Sequence, residues 1–302
     1  MIRNTKTYKS HLLYALLLLW FAGGHSIVKA EEVTQQFNGL TLNANLVLAE
    51  GQTFEDPIAL ILHGIMGHNG MEIIQSTQRA LFDNDYSSMA FNLSLGLDNR
   101  KGFFECDSPH QHTVDEALKE IQAWVDWLKR QGTTQIILMA HSRSEALIYA
   151  ALMADPVISN LVILAPAIYP ARERFEDRFG DVFEETFVRM QTAVEEGKGQ
   201  ELFEHVDFFY CPQATIKPDS WLSYYGNDSP YPDLASHIPN LTVRTLIIFG
   251  TEDEVVLDGH ESVKPLVDNQ TVFMFVVDGA GHFFRDFNID EAMEATIEFI
   301  DG

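Results

Sequence analysis

The chain has 302 residues, 46% of them hydrophobic and 21% charged, with 20 basic against 44 acidic side chains and a formal net charge of −24. That size and composition suit one folded α/β domain with an insertion and exclude a low-complexity or disordered chain. The charge repels nucleic acid and anionic membranes, and it disfavours substrates with several negative charges unless a local basic patch receives them.

Residues 1–30 stand apart from the fold. Arg3, Lys6 and Lys9 precede an apolar run from Leu12 to Gly24, and Val28-Lys29-Ala30 sets small or short residues at a cleavage position. This is the pattern of a secretory signal peptide cut before Glu31, so the mature chain is expected in the periplasm or outside the cell, with no stable membrane insertion. An uncleaved anchor is the other reading; the apolar run falls short of the roughly 20 residues that a span requires. No cysteine stands directly after the run, which argues against a lipoprotein. The leader carries four bases and no acid, so the mature chain is more acidic still. Cys106 and Cys211 can pair in an exported protein; the sequence leaves their pairing open.

Residues 31–57 read as an opening hairpin, with Leu40, Leu42, Ala44, Leu46 and Leu48 at the strand period of two. Ile58 to Leu62 is a continuous apolar run of the buried parallel type, ending in His63-Gly64. An amphipathic helix over 72–82, a strand over 88–93 and a long polar loop from Gly96 to His112 come next. Thr113-Val114-Asp115-Glu116 is a capping box. It opens a helix with Leu118, Ile121, Val125 and Leu128 on one face, and Gly132 stops it. Ile136 to Met139 is the next buried strand, and it leads through Ala140-His141-Ser142-Arg143-Ser144 into a helix over 145–153. A further buried strand covers 160–166. From 169 to 240 the alternation of strand and helix breaks; the stretch is aromatic, acidic and proline-containing, and reads as a mostly helical insertion. Strands over 243–250 and 272–277 and a helix over 289–300 complete the chain. Strands alternating with helices predict a mainly parallel sheet covered on both faces.

Three positions at strand ends carry chemistry. Ser142 sits at the tip of a tight strand-to-helix turn, and a serine hydroxyl needs a base within hydrogen-bond reach to act as a nucleophile. Gly250-Thr251-Glu252-Asp253 and Gly279-Ala280-Gly281-His282 each follow an apolar strand directly. They offer His282 as the base and Asp253 as the group that orients it. Glu252 and Glu254 are the alternative acids, and Ser144 the alternative nucleophile. A tetrahedral intermediate also needs backbone N–H donors. Arg143, after the serine, and Ile65, in the glycine-rich run His63-Gly64-Ile65-Met66-Gly67-His68, are expected to supply them.

These segments resemble the α/β-hydrolases, nearest to their esterase, acylglycerol-lipase and serine-aminopeptidase-like branch. The likeness rests on His63-Gly64-Ile65-Met66-Gly67-His68, Ala140-His141-Ser142-Arg143-Ser144, Gly250-Thr251-Glu252-Asp253 and Gly281-His282. It implies an α/β-hydrolase fold: a mostly parallel eight-stranded sheet with helices on both faces, a core over 31–168 and 241–302, and a helical cap over 169–240. It implies a serine hydrolase that cleaves a carboxylic ester, or less readily an amide, in a small-molecule substrate, with no cofactor. Asp253 takes the acid position of the pattern. Ala140 and Ser144 replace the outer glycines of the usual elbow; a Cβ at either tightens the strand–helix contact. A weak or inactive binding protein on the same scaffold is therefore the alternative, with an acyltransferase or a perhydrolase a further one.

Three other groups stand out. His110 and His112 form a His-x-His pair without the further ligands that a zinc site requires, so no metal is expected and a polar loop at the pocket mouth is the reading. Arg100, Lys101 and Arg143 are rare bases near the expected site; they read as holding an acidic substrate group or, for Arg100 and Lys101, as solvated surface. Tyr169, Phe208, Phe209, Tyr210, Trp221, Tyr224 and Tyr225 either line an apolar pocket or pack the insertion onto the domain.

Overall fold

The computed structural model describes residues 30–142, 155–227, 229, 234–257 and 259–302. The leader and the helix expected over 145–153 lie outside them. The central sheet has eight strands in the order β1-β2-β4-β3-β5-β6-β9-β10. Strands β1 (Glu31–Phe37) and β2 (Leu40–Val47) form an antiparallel hairpin. Its turn is Asn38-Gly39, both with positive φ (48° and 82°), the backbone that a two-residue hairpin turn demands. From β4 (Ser87–Phe91) through β3 (Ile58–Leu62), β5 (Ile136–His141), β6 (Ile158–Leu164) and β9 (Arg244–Gly250) to β10 (Val272–Val277) every pairing is parallel.

These runs have no polar face because both faces of the sheet are covered. Leu60, Leu62, Leu138, Ala140 and Ile163 belong to one buried cluster with helix α2 (Val114–Gln131). Ala59, Ile61, Ile137, Met139 and Val162 belong to the other, with α1 (Glu72–Asp83) and the C-terminal helix (Asn288–Asp301). Helix α2 begins at the expected capping box, where the Thr113 side chain accepts from Glu116 N–H and the Glu116 carboxylate answers Thr113 N–H; it ends at Gly132 in the left-handed conformation. Its Ile121, Val125 and Leu128 are buried, each worth about 1.5–3 kcal/mol on the transfer scale.

The insertion follows β6. It comprises α3 (Ala171–Phe179), α4 (Phe183–Glu195), an antiparallel pair β7 (Phe203–Phe208) and β8 (Cys211–Ile216), α5 (Pro218–Tyr225) and the short α6 (Leu234–His237). The hairpin departs from the mostly helical reading. Its period of two is hidden because the pairing shifts register twice and His205, Phe209 and Gln213 take positive φ. Phe175, Phe183, Trp221 and Tyr225, with ring centroids within 6.1 Å of one another, form the insertion's own core. Cys106 and Cys211 are joined in a disulfide that ties the loop after β4 to β8.

Candidate active site

The parallel strands deliver their following loops to one edge of the sheet, where open α/β sheets bind ligands. Central β5 ends at His141, and Ser142 follows with φ 62°, a left-handed value that a non-glycine residue takes only under constraint. Its N–H donates to Leu164 O at 2.8 Å, pinning the serine above β6. The neighbouring β3 leads into Gly64. A Cβ there would lie 3.2 Å from Ser142 Cβ, so a side chain at position 64 would press on the serine. Ala140 is buried within β5. Arg143 and Ser144 lie outside the described residues.

Ser142, His282 and Asp253 form one hydrogen-bonded chain. His282 Nε2 lies 2.9 Å from Ser142 Oγ, and Nδ1 lies 2.9 Å and 3.1 Å from the two Asp253 oxygens. All three side chains are buried. An ionised carboxylate accepts, so Nδ1 carries its hydrogen toward Asp253 and Nε2 faces the serine hydroxyl as an acceptor. Burial opposes ionisation of Asp253. Hydrogen bonds from His282 and from the N–H groups of Val256 (2.7 Å) and Val255 (2.8 Å) outweigh it, and the carboxyl is held below its ordinary pKa. The two loops can meet because Gly250 has no side chain: a Cβ would fall 2.1 Å from Ala280 O. Of the alternative acids, Glu254 accepts from the His282 backbone N–H at 3.1 Å, and Glu252 is exposed, its N–H donating to Ala280 O.

The sequence reading missed what orients these loops. His141 Nε2 donates to His282 O at 2.8 Å, which joins the elbow to the histidine loop. Burial, followed by the nearby His282 ring, pushes the His141 pKa down to about 3, so that ring is a neutral spacer. The Gly64–Gly67 segment is a turn, closed by Gly67 N–H to Gly64 O at 3.0 Å, with Met66 at φ 56°. His63 Nδ1 donates to Gly64 O at 2.7 Å, while its Nε2 accepts from Leu93 N–H and lies 3.1 Å from Arg100 Nη2.

Arg100 departs furthest from expectation: it is buried, not solvated. Its guanidinium donates to Leu93 O (2.7 Å), Gly67 O (2.9 Å) and Gly102 O (2.6 Å) and lies against His63. Burial lowers its pKa to about 10 against the pull of Glu120, so it stays charged. Asn92 bridges Asn43, Asn69 and Arg100 O below it. No sequence signal marks such a role, because carbonyl acceptors leave no residue type to recognise. Lys101 is exposed and pairs with Glu32.

The His-x-His pair is not a polar loop at the pocket mouth. His110 and His112 are buried against Phe104, Phe208 and Tyr224, where apolar packing displaces water. Among the described residues no group of three or more His, Cys, Asp or Glu is placed to hold a metal. The aromatics divide: Tyr169 and Tyr210 line a cleft of about 410 Å³ at Ser142, together with Arg174, Arg178, Val255 and Leu257. Phe209 and Tyr224 line a smaller cavity beside Gly64 and Ile65. Trp221 and Tyr225 pack the insertion.

No protein-family model and no curated protein matches the chain. Solved structures do. Est1E from Butyrivibrio proteoclasticus superposes with a TM-score of 0.61 at 18% identity, covering 90% of this chain and 99% of its own. The Pyrococcus furiosus esterase Pf2001 does so with 0.60 at 15% identity, over 91% and 90%. E-2-(acetamidomethylene)succinate hydrolase gives 0.57 at 16%, over 91% and 100%. At these identities the likeness is one of fold, and it extends across both sheet and insertion.

Proposed function

We propose that this chain, an α/β-hydrolase by fold, is a serine hydrolase that cleaves a carboxylic ester through an acyl-enzyme. The observation that carries this reading is the chain from Ser142 Oγ through His282 to Asp253, with no gap above 3.1 Å. In the first half-reaction Ser142 Oγ attacks the ester carbonyl carbon while His282 Nε2 takes the hydroxyl proton. The carbonyl oxygen becomes an oxyanion, received by the N–H groups of Ile65 and Arg143. The C–O bond to the alcohol then breaks, and His282 returns the proton to the departing oxygen. Water repeats the sequence on the acyl-serine, releasing the acid and restoring the hydroxyl. Asp253 holds the imidazole in the tautomer that this cycle needs.

The exposed apolar side chains Val255 and Leu257, with Tyr169 and Tyr210 at the same cleft, suit a small ester with an apolar portion. The disulfide fits an oxidising compartment, consistent with an exported, periplasmic or secreted enzyme whose leader is removed before Glu31. The proposal is tested by assaying protein beginning at Glu31 on short p-nitrophenyl esters. Hydrolysis is expected, and Ser142→Ala is expected to lower kcat by about 10⁴-fold or more. Undiminished turnover in that variant assigns the nucleophile elsewhere.

A further inference from the structure

The cleft of about 410 Å³ that Ser142 lines is built from two unlike sets of residues. Val255, Val256 and Leu257, in the loop that carries Asp253, supply apolar carbon. From the insertion come Arg174, Asp177 and Arg178 of α3 and Tyr210 of the turn between β7 and β8. Among the described lining residues two guanidinium groups stand against one carboxylate. In a chain with 44 acidic and 20 basic side chains, a local excess of positive charge beside the nucleophile runs against the composition.

Arg178 is held in place by groups that leave its charge unanswered. Its Cζ lies 4.0 Å from the Tyr210 ring centroid, and Nη1 donates to Phe209 O at 2.8 Å. Stacking on the ring fixes the guanidinium plane and keeps its N–H edge for an acceptor. Arg172, on the same helix, is paired with Glu176 and Glu184, whereas Arg178 forms no ion pair among the described residues, Asp177 included. The turn beneath it is fixed as well. Phe209 takes φ 52° and its N–H donates to the Tyr225 hydroxyl at 3.2 Å, and Cys211, next after Tyr210, is bonded to Cys106 of the core. The Tyr169 hydroxyl donates to Leu257 O at 2.7 Å, which ties the start of the insertion to the loop that carries Asp253. Arg178 and Ser142 therefore belong to one braced frame.

We propose that Arg178 receives a carboxylate of the substrate, so that the ester cleaved at Ser142 carries one free acid group beside an apolar portion. The inference rests on the ester-hydrolase reading above. A planar guanidinium fork matches a carboxylate with two parallel hydrogen bonds, while Val255 and Leu257 take up the carbon chain between the acid group and the ester. The acidic surface does not forbid this, because charges farther than about 8 Å are largely screened at physiological ionic strength, and a contact pair is screened less. Asp177 in the same cleft limits the preference to a single carboxylate. The chemistry recognised is the same whether the acid group belongs to the acyl or to the alcohol portion, and the two arms of the test separate these sources.

The test compares kcat/KM within pairs of esters in which a carboxylate replaces a methyl group. Monomethyl adipate against methyl hexanoate places the acid on the acyl portion, and 4-acetoxyphenylacetate against 4-ethylphenyl acetate places it on the alcohol portion. The ratio within a pair does not depend on how much of a variant folds. Wild-type protein is expected to favour the acid by about tenfold in one arm, the worth of a charge-assisted hydrogen bond at a partly solvated site. Arg178→Met is expected to bring that ratio to one or below, while Arg178→Lys, which keeps the charge without the fork, leaves it between the two. A wild-type ratio of one or less in both arms, or a ratio that Arg178→Met leaves unchanged, overturns the inference. The same pairs are also compared as competitors of Ser142 labelling by a fluorophosphonate, which reads binding without turnover. Labelled protein that shows no preference for the acid overturns this inference alone, and unlabelled protein overturns the hydrolase reading beneath it.

Discussion

On one side of Ser142, His282 and Asp253 reach the serine through side-chain hydrogen bonds, each partner standing in a short loop directly after its strand. On the other side, the Gly64–Gly67 turn presents backbone alone, and what holds it comes from far along the chain. Arg100 binds Gly67 O, Phe104 N–H donates to Met66 O, and Cys211 of the insertion, bonded to Cys106, rests 3.9 Å from Met66 Sδ. The first side is specified by residue identity, and the second by the packing of a loop between sheet and insertion. Disturbance of the first should therefore remove chemistry, whereas disturbance of the second should misplace a backbone that remains present.

The largest effect is expected on the side-chain half. Asp253→Asn keeps the shape of the chain but offers Nδ1 a hydrogen in place of an acceptor, so the imidazole turns its proton toward Ser142. A loss in kcat of about 10⁴-fold is expected, with KM little changed. An Asp253→Asn enzyme within tenfold of wild type would mean that the Asp253 carboxylate has no part in orienting His282.

A smaller loss is expected on the backbone half. Arg100→Met leaves the carbonyls of Leu93, Gly67 and Gly102 without their donor and lets the turn relax. We expect kcat to fall by about 10–100-fold with KM nearly constant, below the roughly 10²–10³ seen when an oxyanion donor is removed outright. Arg100→Lys, which keeps the charge but not the fork, should recover part of it. A change in KM alone would show that Arg100 acts on substrate binding instead of on the turn.

Much of this architecture is legible in the sequence, and the boundary follows the same division. The apolar runs at 58–62, 136–139, 243–250 and 272–277, the Thr113–Glu116 capping box and the strand-end positions of Ser142, Asp253 and His282 are local patterns, read from neighbours in the chain. Asn43, Asn69, Asn92 and Arg100 form a buried polar network whose members meet only in three dimensions. Each alone has the look of solvent-facing polar surface. The same holds for His110 and His112, whose residue type suggests solvent or metal while Phe104, Phe208 and Tyr224 enclose them. The β7–β8 hairpin escaped because its bulges break the alternation by which strands are recognised.

Taken singly, each buried histidine carries the smallest effect, on stability. Burial lowers His63, His112 and His141 to about 3 and His110 to about 4, against 6.5 for the unfolded chain. Their folded pKa values lie below the unfolded one, so the unfolded chain binds more protons in acid. Stability is complete above about 6.5 and falls as the pH drops toward 4, by up to about 1.4 kcal/mol per pH unit for each ring. Urea unfolding between pH 7 and pH 5 should show the decline, and His110→Leu should reduce its slope by one proton. A midpoint independent of pH over that range would contradict the burial of these rings.

The most direct test of the central claim is reaction of the folded protein with a fluorophosphonate, followed by mass spectrometry of its peptides. An activated serine is expected to carry one phosphonyl group, on Ser142, and Asp253→Asn should slow the labelling while Arg100→Met slows it less. Folded protein that stays unlabelled, or carries the label on another serine, would contradict the assignment of Ser142 as nucleophile.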